Sequence, residues 1–159
     1  MCAKGFSLVE VLVAVTIITA SVLGIMGIYS IYIKNSYLNT PSIQAAYLAD
    51  EGVEAVKSLR DFGWTSNINN LVIGDTYYLY FNTALSRWQA TTTNTLIDGV
   101  FDRSFVLSSA RRNSSDDLVA AGGSIDANTR LVTVTVSWVG SNVTSTKTLN
   151  SYITNLFNN

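Results

Sequence analysis

The pattern of apolar and polar positions divides the chain into three stretches. From Phe6 to Ile33 the positions are apolar almost without interruption, and the one charge among them is Glu10. About 20 apolar residues cross a bilayer, so this run predicts a membrane-spanning helix. At ~1.5 Å per residue it would measure about 42 Å, against a hydrocarbon core of about 30 Å. From Ile43 to Arg60 a helical period returns, with Ala45, Leu48, Ala49, Gly52, Val53, Val56 and Leu59 on one face. Asp50, Glu51, Glu54, Lys57 and Asp61 fall on the other, where Glu54–Lys57 and Lys57–Asp61 stand at pairing distance. The apolar stripe should pack on a sheet. The acidic face reads as a solvated surface or, in the sharper alternative, as a contact for another chain. Between the two helical stretches, Asn39-Thr40-Pro41 predicts a kink or restart, with Thr40 as cap and Pro41 at the first helical position.

From Phe62 onward Ser, Thr and Asn dominate and the period changes to two. Thr76–Asn82 and Arg87–Thr92 predict a hairpin. Val100–Ser109 places Phe101, Phe105 and Leu107 on one face. Leu131–Val139 alternates Val132, Val134, Val136 and Trp138 against Thr133, Thr135 and Ser137. That alternation predicts a half-buried antiparallel strand. Lys147–Leu156, with Leu149 and Ile153, is expected to return beside it. The fold class expected is α+β, a long N-terminal helix packed by its C-terminal half on an antiparallel sheet of about four strands.

Glu10 is the anomaly of the apolar run. An unpaired charge in hydrocarbon costs on the order of 2.5 kcal/mol or more, so an intramembrane acid marks function by default. Ser7-Leu8-Val9-Glu10 also reads as a capping box that would simply start a helix, and the two roles are compatible. An ordinary secretory signal peptide fits poorly, because its apolar core is ~7–15 residues and uncharged. A plain single-pass anchor gives no reason for Glu10, nor for Gly5 one residue before the run.

The segment Lys4-Gly5-Phe6-Ser7-Leu8-Val9-Glu10-Val11-Leu12-Val13-Ala14 resembles the class III signal of type IV pilins and type II secretion pseudopilins. The resemblance implies a leader of residues 1–5, cleavage after Gly5 by a prepilin peptidase and N-methylation of the new terminus, Phe6. It assigns Glu10 to assembly. In a dry filament core the carboxylate needs a cationic partner, and the family's answer is the methylated amine of a neighbouring subunit's Phe6. Residues 6–33 would then form the membrane and filament-core helix, 34–61 its amphipathic continuation, and 62–159 a β-rich globular pilin domain. Gly24 and Gly27, with Pro41, are candidates for helix flexibility; close packing against another helix is the alternative for the two glycines. Tyr29 and Tyr32 suit a membrane interface.

More of the chain is similar to pilus-modification (PilV-like) minor pilins. The likeness runs through Ala49–Val56, Asp102–Leu107, Arg130–Trp138, Lys147–Leu149 and Tyr152–Thr154. The role implied is a structural subunit that initiates or modifies a filament serving adhesion, motility or DNA uptake. A secretion pseudopilin, a major pilin and a non-polymerising membrane-anchored receptor or adhesin are the alternatives. Implied partners are the prepilin peptidase, other pilin subunits, and the inner-membrane assembly platform with its ATPase. The precursor would sit in the inner membrane with its N-terminus cytoplasmic, and later in an extracellular filament or periplasmic pseudopilus.

Composition narrows the chemistry. The chain has 159 residues and a net charge of −1, which gives no basic field for nucleic acid. It has no His, the commonest general base and metal ligand. Its single Cys is Cys2, inside the leader, so cleavage would leave no thiol and no disulfide, a departure from many pilins. No apolar signal precedes Cys2, which argues against lipidation. No cofactor or metal is expected, and no enzyme: that would need an unforeseen carboxylate pairing, such as Asp98 with Asp102, and these two more simply flank a strand start. Arg111–Asp117 and Ala120–Ser124 predict a long polar, flexible link. Arg111 and Arg112 could touch phosphate, and Trp88 beside Arg87 could stack on a base or sugar, although surface variability and cross-strand packing account for them more simply. Asn113-Ser114-Ser115 and Asn142-Val143-Thr144 match the glycosylation sequon.

Overall fold

A computed structural model describes Gly5, Ser7, residues 8–140 and 143–156, with Leu38 described by its backbone only. It contains one long helix, α1 (Leu8–Phe62), a π-helical turn (Trp64–Ile68) and six strands: β1 (Thr76–Asn82), β2 (Arg87–Thr91), β3 (Asp102–Arg112), β4 (Leu118–Val119), β5 (Ser124–Gly140) and β6 (Val143–Thr154). The expected α+β class, a long helix packed on an antiparallel sheet, is what the structure has. The chain separates into two compact units, Met1–Thr40 and Pro41–Asn159.

In the first unit residues 8–40 are helical, and the apolar side chains of residues 8–32 are exposed, from Leu8 through Leu23 to Tyr32. Three hydroxyls of the run fold back on their own helix. Thr16 Oγ1 donates to Leu12 O and Val13 O at 3.1 and 2.8 Å, Thr19 Oγ1 to Val15 O at 2.7 Å, and Ser21 Oγ to Ile17 O at 2.8 Å. Each hydroxyl is thus satisfied without water, as a helix in hydrocarbon requires. By length and composition α1 is able to cross a membrane.

The second unit is built on the sheet. The strand order is β2-β1-β3-β5-β6, every pairing is antiparallel, and β4 pairs with the Arg111–Arg112 end of β3. The six strands exceed the four or so expected, and the differences are local. β4 has two residues, too few to show a period. β5 and β6 are longer than their apolar alternation because their ends pair through Ser, Thr and Asn backbone, which carries no hydrophobic signal. β3 begins at Asp102 rather than at Val100.

The core forms between the helix and one sheet face. Ala45, Ala49, Val53, Val56 and Leu59 are buried against Phe105, Leu107, Val132, Val134, Val136 and Ile153, with Trp64 and Ile68 closing one end. The predicted stripe and the predicted alternation of β5 are the two sides of this contact. Gly52 lies where helix and sheet meet most closely: a Cβ there would stand 2.8 Å from Val134 Cγ1. Gly63 ends the helix at φ 147, a conformation L side chains rarely adopt.

Two helix expectations need correction. There is no restart at Pro41, because α1 runs through it. Thr40 does not cap; its Oγ1 donates back to Ser36 O at 3.1 Å. A proline removes one N–H from the ladder, and here the helix continues on both sides of the gap. The Glu54–Lys57 pair forms at 2.8 Å, but Asp61 pairs with its neighbour Arg60 at 2.8 Å instead of with Lys57.

Candidate functional site

The candidate site begins where the chain enters α1. Gly5 is exposed and lies before the helix. Ser7 immediately precedes it, and its carbonyl accepts from Val11 N at 3.2 Å, the bond that closes the first turn. Ser7 therefore occupies the N-cap position that the S-x-x-E pattern predicts. Glu10 sits in that first turn, where a carboxylate is favoured by the unsatisfied N–H groups of the helix start. It is exposed, and among the described residues it forms no ion pair. An acid so placed, in a helix without another charge until Lys34, is available to a cation from outside the chain. Phe6, which the resemblance assigns to processing and assembly, lies outside the described residues, as do Cys2, Lys4 and Asn142.

The other candidate positions on the helix are separate from this one. Gly24 and Gly27 have open space where a Cβ would stand, so neither is required by packing within the chain. Pro41 opens the second unit.

The globular unit uses its charged and aromatic candidates internally. Trp88 packs edge-on against its cross-strand partner Phe81 at 5.5 Å, the simpler of the two expectations for it, and the Arg103 guanidinium stands over its ring at 5.2 Å. Arg87 lies over the Phe62 ring at 5.8 Å. Arg112 Nε donates to Asp126 Oδ2 at 2.8 Å and Nη1 to Asp116 O at 2.7 Å. Arg111 Nη1 donates to Gly123 O at 3.3 Å. Both arginines thus brace their own loop. That loop is also more structured than its composition predicts: Asn113 Oδ1 accepts from Ser115 N and Asp117 N, each at 2.9 Å. Gly123, at φ 62, passes so close to Arg112 O that a side chain there would collide with backbone.

A bulge assembles the Arg112 network. The register between β3 and β5 passes from Ser109↔Arg130 to Ala110↔Asp126, leaving residues 127–129 as extra length on β5. This places Thr129, fully buried, with its Oγ1 2.6 Å from Asp126 Oδ2. The Arg112 hydrogen bond, then that of Thr129, hold the Asp126 carboxyl down at about 2. The Arg112 guanidinium is correspondingly raised, mainly by the same bond.

Three residues of consequence escaped the sequence reading. Arg103 is buried in the helix–sheet layer, where Nη1 donates to Glu51 Oε2 at 2.5 Å and to Leu48 O at 3.3 Å. Its Nε is buried without a partner. Glu51, expected on a solvated face, is the other half of that bridge. Arg130 is buried over Trp64 at 5.6 Å and donates to Ala127 O at 2.8 Å and Asn69 Oδ1 at 3.2 Å. The signal for Arg103 was present, since it shares the inward face of β3 with Phe105 and Leu107. Among the described residues no contact between Asp98 and Asp102 is seen. Asp102 Oδ2 accepts from Asn94 Nδ2 at 3.1 Å, and the two carboxylates line different grooves.

Residues 1–26 match the family described as the prokaryotic N-terminal methylation motif. The match covers Gly5, Glu10 and the apolar run as far as Met26 together. It supports a precursor of the type IV pilin or pseudopilin type, anchored in the inner membrane and handled by a prepilin peptidase. The chain matches no curated protein and no solved structure.

Proposed function

We propose that this chain is a structural subunit, not an enzyme, of a type IV pilus, and that it acts as a minor pilin of the pilus-modification type. It is cut after Gly5, methylated at Phe6 and drawn into a helical filament by its N-terminal helix, through an assembly platform and its ATPase. There it initiates or modifies the fibre. The observation that carries this reading is the methylation motif over residues 1–26, with an acid at its tenth residue that meets no cation among the described residues. A carboxylate entering a dry helical core needs a counter-charge, and cleavage creates one, the amine of Phe6, on each arriving subunit. Processing and assembly would then depend on a single chemical group.

The test is mass spectrometry of the N-terminal peptide from sheared surface filaments and from membranes of the same cells. A peptide beginning at methylated Phe6 in the filament fraction is expected. A chain still beginning at Met1 and confined to membranes, with the peptidase active, would replace the pilin by a membrane-anchored receptor. Gly5→Trp is expected to block cleavage, because the peptidase must seat this position in a narrow site.

A further inference from the structure

The sheet has a second face, built differently from the one that packs on the helix. Cross-strand register sets Thr91, Tyr78, Ser104, Thr135 and Thr148 side by side in one row across β2, β1, β3, β5 and β6. Each is at least partly exposed. At about 4.8 Å between strands, the row presents a hydroxyl-bearing side chain at every step over about 19 Å. The row on one side holds Asp102, Ser137 and Thr146, and the row on the other Thr76, Val106, Thr133 and Asn150. Among these twelve positions the one charge is Asp102. A soluble surface calls for about 25–35% charged residues, so the face is depleted of them. Its hydroxyls are also uncommitted. Elsewhere in the chain Thr16, Thr19, Ser21 and Thr129 donate to partners within it. Among the described residues, Ser104, Thr133, Thr135, Ser137, Thr146 and Thr148 form no side-chain hydrogen bond. Tyr80 and Tyr152, 41% and 42% exposed, stand at diagonally opposite corners of the field.

We propose that this outer sheet face docks an uncharged polysaccharide. The inference goes beyond the filament reading and does not depend on it. A Ser or Thr hydroxyl both donates and accepts, as a sugar hydroxyl does, so the two arrays match in either direction. A row of such groups at a fixed repeat suits a polymer, which repeats as well. The tyrosines at the corners offer an apolar ring to the C–H face of a sugar and a polar tip to its hydroxyls. Charge decides the class of polymer. No Lys or Arg stands in the three rows, so phosphate, sulfate and uronate chains find no counter-charge there. Asp102 at the margin repels them. A protein surface brings charged groups that this face has nothing to satisfy, whereas a neutral sugar chain brings none. Docking exchanges hydrogen bonds to water for hydrogen bonds to sugar, so affinity rests on the whole array rather than on one contact.

The test passes the full chain, in phosphatidylcholine nanodiscs, over microcrystalline cellulose, chitin and granular starch, and over calcium alginate as the anionic counterpart. Empty discs are the blank, and sugar-headed detergents are left out because they would compete for the face. Retention on at least one of the uncharged polymers, and less on alginate, is expected. Thr135→Lys combined with Thr148→Lys should weaken that retention at least about tenfold, because two hydrogen-bonding positions are lost where the polymer lies. Thr135→Ser, which keeps the hydroxyl, should retain like the parent, and so should Ser114→Lys in the 113–117 loop. Unfolding midpoints of the parent and the double Lys variant are compared, so that a lost fold is not mistaken for a lost face. No retention of the parent on any uncharged polymer overturns the proposal. Equal retention of the double Lys variant overturns it too, by moving binding to another face. Stronger retention on alginate overturns the charge argument and with it the polymer class. Association between chains that the same Lys pair abolishes assigns the face to a second copy and overturns the polysaccharide. None of these outcomes bears on cleavage after Gly5, so the pilin reading stands or falls separately.

Discussion

The two halves of α1 have similar backbones and opposite relations to their surroundings. Between residues 8 and 32 the apolar side chains are exposed, and among the described residues none buries them. Between residues 45 and 59 a narrower stripe is buried to within a few per cent against the protein's own sheet. The second half is satisfied by folding; the first is satisfied only by a solvent or partner outside the chain. Hydrophobicity alone does not separate them, since both carry Ala, Val and Leu. The all-round distribution of the first and the one-sided stripe of the second do. On the proposed reading the difference gives stability to one half and assembly to the other, and substitutions should respect that division.

The largest separation is expected at Glu10. Glu10→Ala should leave a processed chain in the membrane and sharply reduce its recovery in sheared filaments. The melting of the globular unit should be unchanged, because Glu10 belongs to the other unit. Wild-type incorporation of this variant would remove the role given to the carboxylate. The converse experiment is Phe105→Ala. Phe105 is fully buried between the helix and the sheet and lies 5.8 Å from Tyr77. Its truncation should cost about 3–5 kcal/mol in chemical denaturation of the globular unit. Leu23→Ala, in the exposed half, should cost that unit nothing measurable. Equal losses from the two would break the comparison.

The same contrast explains what could be read from the chain beforehand. The helix, its apolar stripe and the alternation of β5 were readable because burial on one face imposes a period, and periods survive in sequence. Gly5 and Glu10 stood out because each violates its surroundings, and both fall within the matched motif of residues 1–26. What escaped was set by long-range geometry. The two residues of β4 have no period, and the bulge at Ser109–Ala110 is fixed by pairing between strands. Thr40 and Pro41 look like a helix start, and only the continuing backbone on both sides decides otherwise. Asp61 had two cations within reach, and the adjacent one won. Arg103 stands in a column of inward residues, but a charge in that column is interpretable only once Glu51 and Trp88 are known to meet it.

Arg103 sharpens the comparison from within the globular half, with effects of intermediate size. Its side chain is 4% exposed and that of Glu51 48%. Removing a partner from a buried ion leaves an uncompensated charge, but Glu51 is half in water, which reduces the loss. Glu51→Ala should therefore cost about 1–3 kcal/mol by denaturant titration. Arg103→Met, which removes the buried charge and its unpartnered Nε while filling similar volume, should cost less than Glu51→Ala. The reverse order would show that the bridge contributes net stability rather than fixing the seating of helix on sheet.

The smallest expected effect is a pH dependence confined to the loop end of the sheet. The Asp126 carboxyl is held at about 2 in the folded chain, chiefly by the Arg112 hydrogen bond and then by that of Thr129. An unfolded aspartate titrates near 3.9. Between those values the unfolded state binds more protons than the folded state, so stability rises with pH across the window. The contribution of Asp126 is complete above about pH 4 and is lost as pH falls toward 2. Because the network is partly open to solvent, its size should be on the order of 1 kcal/mol after screening is allowed for. Asp126→Asn should be less stable than the parent at neutral pH, and the difference between the two should shrink steadily from pH 4 to pH 2. A difference that stays constant through that range would mean that Asp126 acts through shape and hydrogen bonding alone, with its charge playing no part in pinning the 113–123 loop to β3 and β5.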